Sequence, residues 1–256
     1  YKTGPLSIEV NRGDKIDLSS VKNLISEDIV IKNDKYYILI RQDSVYRVEI
    51  YDMNFKFISR HTLGIKYYAY QVYNHYIYYL TYDDALYRLD VITDDTVFIS
   101  TYNYNIRDFR IINDRLYITG TKGISIVSTA TNEEIKFIKV SHLSFYSKED
   151  NIFIGIDGNN IAIFDVDTEK IRKIEVKEDR AWINILQTDN NSNYYFNSAD
   201  SKSILIYNLK TNKVTVKTKN EHIQNSYRSF SGGKGHLLIY FHGDLYILNE
   251  NFDIIR

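Results

Sequence analysis

Apolar residues in this chain come in short runs, each closed by residues that favour turns. The runs include Tyr36–Ile40, Tyr76–Leu80, Arg115–Ile118, Asn151–Ile154, Asn193–Phe196 and His236–Tyr240. They are followed by Gln42-Asp43-Ser44, Asp83-Asp84, Gly120-Thr121-Lys122-Gly123, Asp157-Gly158-Asn159-Asn160, Asp200-Ser201-Lys202 and His242-Gly243-Asp244. Runs this short, rich in Tyr, Ile and Phe, are strands rather than helices, and polar breaks of two to four residues are hairpin connections. A further strand precedes each run, as in Asp108–Ile112 and Ile183–Leu186, and another follows it, ending in Asp, Asn or Ser.

That last strand carries the clearest internal repetition. Its terminal residue is Asp52, Asp90, Ser128, Asp165, Asn208 or Asn249, at intervals of 38, 38, 37, 43 and 41 residues. Four of the six copies continue with two residues, Thr and a polar residue, as in Asp165-Val166-Asp167-Thr168-Glu169; the first and last share Asn-Phe instead. A short polar side chain at the anchor is placed to accept hydrogen bonds from backbone N–H groups two or three residues on, which closes a tight turn into the next strand. Four strands per unit of about 39 residues predict an all-β, six-bladed β-propeller with four antiparallel strands per blade. The expected blades cover residues 25–65, 66–103, 104–141, 142–180, 181–221 and 222–256, a single propeller from 25 to 256. Residues 1–24 contain one strand candidate, Leu6–Val10, and are expected to help close the ring by pairing with the last blade. Residues 14–26 have room for one helical turn and no more.

Composition adds exclusions. The chain has 256 residues, 44% hydrophobic and 25% charged, with a formal net charge of −1. Near-neutrality argues against nucleic acid as a partner, since binding a polyanion needs a basic face. No apolar stretch approaches a membrane span. Without cysteine there is no disulfide, thiol nucleophile or thiolate metal site. The 24 Tyr, 12 Phe and single Pro reinforce the β assignment. The start at Tyr1 rather than Met suggests that a preceding segment has been removed.

The segments Ile161–Lys170 and Ile204–Lys213 resemble the repeats of bacterial NHL and TolB-like propellers. Tyr76–Leu80 followed by Leu86–Asp90 is similar to the repeats of YWTD propellers and their bacterial relatives. The resemblance extends over nearly the whole chain and is greatest to six-bladed propellers exported by gut anaerobes, often as lipoproteins of unknown function. It implies a propeller fold and an exported protein, periplasmic or at the cell surface, and no particular activity.

Propellers work at the ends of their axis, through the loops that lead into the first strand of each blade. In this chain those loops place Tyr68, Tyr104, Arg107, His142, Arg180, Trp182, His222 and Arg228 at recurring positions. Aromatic and guanidinium groups together suit an anionic or sugar-like ligand or a protein loop; the competing expectation is that the rings pack between blades and the arginines reach past them to solvent. The six histidines show no ligand spacing, so no metal is expected, and no cofactor motif is present. Asp165–Glu169 lacks the glycine and distal Glu of a calcium loop. Gly232-Gly233-Lys234-Gly235 lacks the spacing of a phosphate loop and reads as a hairpin. The expected function is a non-catalytic binding module presenting one face to a protein or carbohydrate partner. The alternative is a lyase or hydrolase at the mouth of the central channel.

Overall fold

The computed structural model describes residues 7–9, 15–17, 25–42, 45–64, 67–176, 182–188, 192–198, 202–218, 228–233, 236–241 and 244–248. Among these, all regular structure is β. Strands β1 (Ser7–Glu9) and β2 (Lys15–Asp17) form a two-stranded antiparallel sheet, with Ile8 opposite Ile16. Extended pairing therefore replaces part of the helical turn allowed for over 14–26. The first four-stranded sheet comprises β3 (Ile25–Lys32), β4 (Lys35–Gln42), β5 (Val45–Asp52) and β6 (Phe57–Thr62). The second comprises β7 (Tyr67–Tyr73), β8 (Tyr76–Thr81), β9 (Ala85–Asp90) and β10 (Thr96–Thr101). The third comprises β11 (Ile106–Ile112), β12 (Arg115–Gly120), β13 (Gly123–Ser128) and β14 (Glu134–Lys139). The fourth holds β15 (Leu143–Ser147), β16 (Ile152–Asp157), β17 (Asn160–Asp165) and β18 (Lys170–Glu175). The fifth holds β19 (Trp182–Thr188), β20 (Asn193–Ser198), β21 (Ser203–Asn208) and β22 (Lys213–Thr218). A three-stranded sheet follows, with β23 (Arg228–Gly233), β24 (His236–Phe241) and β25 (Asp244–Leu248). The fourth strand expected for the last blade, and the edge that Leu6–Val10 was expected to meet, fall in 249–256, outside the described residues.

Every sheet pairs its strands in chain order, so each unit is a meander that needs only tight turns. The anchors act as their chemistry requires. The Asp52 carboxylate accepts the N–H of Asn54 and Lys56 at 2.8 and 2.9 Å, and Asp90 accepts those of Ile92 and Thr93. Ser128 Oγ accepts the N–H of Ala130 and Thr131. Asp165 and Asn208 each take both the N–H and the hydroxyl of the Thr three residues on. The residue that completes the turn has positive φ in each case: Phe55, Asp94, Asn132, Glu169 and Asn212.

The chain divides into two compact units, Tyr1–Tyr102 and Asn103–Arg256. In the first, Tyr37, Leu39, Val48 and Ile50 of the first sheet pack on Tyr70, Val72, Ile77, Tyr79 and Leu89 of the second. The alternate residues Tyr36, Ile38 and Ile40 occupy the opposite face of the first sheet. In the second unit the fourth sheet is buried on both faces. Ile152, Ile154, Ile161 and Ile163 meet the fifth sheet, while Phe153, Ala162 and Phe164 meet the third. Burial on both faces is why these strands are apolar throughout instead of alternating. Within this unit β11 lies against β15, β15 against β19 and β19 against β23, so the first strand of each sheet is the innermost.

Candidate functional site

The first strands share an irregularity near their start. Pairing with the second strand slips between Ser26 and Asp28, Tyr67 and Ala69, Ile106 and Asp108, Leu143 and Phe145, and Trp182 and Asn184. Five sheets thus carry a β-bulge at equivalent positions, with Glu27, Tyr68, Arg107, Ser144 and Ile183 as the extra residues. A bulge leaves its extra residue out of the ladder and re-aims it. In the second unit two of these starts keep the backbones close through glycine. A Cβ on Gly120 would lie 2.5 Å from the Asn105 carbonyl, and one on Gly155 would overlap the His142 carbonyl.

The residues nominated from the sequence divide as follows. Arg107 is the bulge residue of β11; it is exposed, and its guanidinium has no hydrogen bond or ion pair among the described residues. His142 stands just before the neighbouring strand β15, exposed, with φ of 50° and its carbonyl accepting the Ile156 N–H at 3.3 Å. These two residues therefore sit at the same end of adjacent innermost strands. Tyr104 is half-buried: its hydroxyl is 3.0 Å from Ser125 Oγ, and its ring lies against Gly120 and near Phe137. Tyr68 is the bulge residue of β7, Trp182 opens β19 opposite Ser198, and Arg228 opens β23 opposite Tyr240. Arg180 and His222 lie outside the described residues. Near Arg107, Lys122 donates to the Asn103 carbonyl at 2.7 Å, and Lys139 ends β14 exposed opposite Gly123. The Asp108 carboxylate does not oppose these cations freely. Burial pushes its pKa up, and Arg110 Nε holds it at 3.1 Å.

A second place was not anticipated. Within the first unit a cleft of about 420 Å³ opens between the two sheets, lined by Tyr37, Ile50 and Val91 with Ile58 and Ile92, and by the polar groups of Asn33, Lys35, Ser59, Asn74 and His75. Ser59 and His61 stand opposite Ile50 and Val48 in the β5–β6 register, so both face the second sheet. Ser59 Oγ is 2.9 Å from His61 Nε2, and His61 Nδ1 is 2.7 Å from Asp94 Oδ1 in the β9–β10 turn. The imidazole is buried, the Ser59 side chain is partly open, and Asp94 is exposed.

No known family profile matches the chain, and no curated protein matches it. Solved structures do. BamB from Moraxella catarrhalis superposes with a TM-score of 0.65 at 13% identity, covering 94% of this chain and 75% of that one. Hsv2 from Kluyveromyces lactis gives 0.58 at 12% identity, covering 87% and 73%. The computationally designed Ika8 protein gives 0.57 at 9% identity, covering 86% and 69%. The fold is a β-propeller. Identities this low carry the fold and nothing further.

Other buried polar groups in the propeller are structural ties. Glu49 is 2% exposed, and its carboxylate is met by Arg47 Nε at 3.1 Å, Arg60 Nε at 2.8 Å and the Tyr51 hydroxyl at 2.6 Å. Burial, then the Glu49 hydrogen bond, push the Tyr51 phenol up to about 12. Asp150 links the fourth sheet to the fifth by accepting from Tyr194 at 2.5 Å and Ser192 at 3.3 Å. No group of three His, Asp or Glu among the described residues could hold a metal ion. Sequence reasoning missed the cluster of Ser59, His61 and Asp94 because Ser59 belongs to no motif and Asp94 reads as the turn residue that closes the Asp90 copy of the repeat. The available signal was Ser59-x-His61, two polar residues of one parity on a strand whose paired residues on that face are apolar.

Proposed function

We propose that the chain is a protein-binding module that presents the starts of its innermost strands to an acidic partner surface. The observation that carries this reading is the pair Arg107 and His142, both exposed and with side chains that have no partners among the described residues, at the same end of adjacent strands. Lys122 and Lys139 add positive charge at that end of the third sheet. An unpaired Arg need not break an existing ion pair to bind, and it offers a bidentate donor to carboxylates. A carbohydrate partner is less well supported, because Tyr104 has its ring packed against Gly120 and near Phe137 rather than laid open as a platform. The six copies of the sequence repeat support six blades, with residues 1–24 as the closing element. The resemblance to exported propellers supports a location outside the cytoplasm. Among the described residues no helix is long and apolar enough to cross a membrane.

The test is site-specific photo-crosslinking in cells, with a photoreactive residue placed at 107, at 142, or at the exposed outer-strand position Ile135. The reading requires one shared adduct from 107 and 142, absent from 135 and lost when Lys122 and Lys139 are changed to Glu. Adducts that are equal from all three positions, or absent from 107 and 142, reject it.

A further inference from the structure

The cleft in the first unit carries a different chemistry. We propose that Ser59, His61 and Asp94 form a nucleophile–base–positioning chain that hydrolyses short acyl esters bound in that cleft. The order of atoms sets the roles. An ionised carboxylate only accepts hydrogen bonds, so Asp94 Oδ1 at 2.7 Å requires the proton of the neutral imidazole to sit on Nδ1. Nε2 is then left as an acceptor facing Ser59 Oγ at 2.9 Å, within the 2.6–3.2 Å range of a nucleophile and its base. Such constellations are recognised by geometry and roles, since they recur on unrelated folds in different chain orders.

The surroundings fit the assignment. Ser59 lines the cleft, whereas His61 is 5% exposed, so the nucleophile faces the ligand space and the base is shielded from water. At about 420 Å³ the cleft lies within the size range of small-molecule sites. Tyr37, Ile50 and Val91, with Ile58 and Ile92, give it apolar walls suited to an acyl chain. Its polar lining contains no carboxylate: the Lys35 ammonium has no partner among the described residues, while Asn33 Nδ2 is held by the Asn74 carbonyl at 3.4 Å and His75 Nε2 lies 3.6 Å from Asp90 Oδ2. Lys35 is the candidate donor to a developing oxyanion in this space.

The reaction balances without any co-reactant except water. Ser59 Oγ attacks the ester carbonyl carbon as its proton passes to His61 Nε2. The tetrahedral oxyanion collapses, the bond to the leaving alkoxide breaks, and that alkoxide takes the proton from His61. Water then attacks acyl-Ser59, giving its proton to His61; the carboxylic acid leaves and Ser59 regains its hydrogen. Asp94 is a positioning residue. With its side chain 66% exposed, its charge is screened and it acts chiefly by fixing the tautomer.

The experiment treats the full chain with a fluorophosphonate and with p-nitrophenyl butyrate. Intact mass should rise by one phosphonyl group, mapped to Ser59, and ester turnover should disappear in Ser59→Ala. Labelling should slow by about 100-fold or more in His61→Gln, the scale of lost general-base assistance, and by about tenfold in Asp94→Asn, with far-UV circular dichroism unchanged. Asp94 is exposed in a turn, so its variant tests the chain even if His61→Gln fails to fold. A hydrogen-bonded tie between sheets would affect stability and leave the labelling rate alone. Labelling that misses Ser59, labelling of Ser59 that is as fast in Asp94→Asn, or turnover that survives Ser59→Ala overturns the proposal.

Discussion

At the end of the third strand, a single oxygen atom on an Asp, Asn or Ser side chain closes each of the five described hairpins. Asp165 and Asn208 occupy equivalent positions and make the same two bonds, to the N–H and hydroxyl of Thr168 and Thr211. An amide therefore accepts the same two hydrogen bonds as a carboxylate. Asp165→Ala is expected to cost about 1 kcal/mol in urea denaturation at neutral pH, the usual net worth of such a bond, whereas Asp165→Asn should stay within about 0.5 kcal/mol. The two differ with pH as well. The Thr168 N–H holds the Asp165 carboxyl below its ordinary pKa. The extra stability is present above the unfolded value of about 3.9 and is lost as pH falls through the folded one. The stability difference between wild type and Asp165→Asn should therefore shrink on acidification; a difference constant with pH would show that the carboxylate gains nothing from its charge.

The third and fourth sheets, as elements, depend on how closely their first and second strands approach beside the bulge. Leu143 faces Gly155, and Ile106 faces Gly120. A methyl group on Gly155 would overlap backbone, the His142 carbonyl, which cannot swing aside as a side chain can. Gly155→Ala is expected to destabilise by about 1–3 kcal/mol, the range for overpacking a tight site. It should also displace His142 and so weaken crosslinking from position 142 before it affects position 107. A Tm unchanged in Gly155→Ala would mean that the strands have slack at this point. The glycine and the bulge are each visible in the sequence only as a Gly and an out-of-phase residue. Their pairing across the ladder emerges from the register.

Across the whole molecule, tyrosine is the principal large core residue. Tyr78, Tyr79, Tyr117, Tyr194 and Tyr207 are among the most fully buried side chains. Rings at Tyr46, Tyr67, Tyr79 and Tyr87 follow one another with centroids 5.1–6.3 Å apart. Burial raises the phenol pKa of Tyr37, Tyr78, Tyr117 and Tyr207, and pushes Tyr79 up to about 12. Such groups keep their protons in the folded state while an unfolded chain releases them near pH 10. Their contribution to stability is thus complete below about pH 10 and is lost as pH rises toward 12. Alkaline titration should show cooperative loss of β signal in circular dichroism together with a step in phenolate absorbance. Smooth phenolate formation with the β signal intact would contradict it.

The sequence by itself determined the strands, the turns and the repeat, because each depends on partners a few residues away. Asp165 reaches Thr168, and alternate residues of β16 and β17 select faces by the pleat alone. The bulge positions were half legible: Tyr68 and Arg107 were singled out by residue type, and the ladder slip revealed their shared placement. Only the tertiary structure decided which polar groups meet. His61 and Asp94 are 33 residues apart and come together because the first sheet packs its Ser59–His61 row against the turn of the second. That contact depends on stacking distance and register between sheets, quantities set by the summed volumes of the buried side chains and carried by no local pattern in the chain.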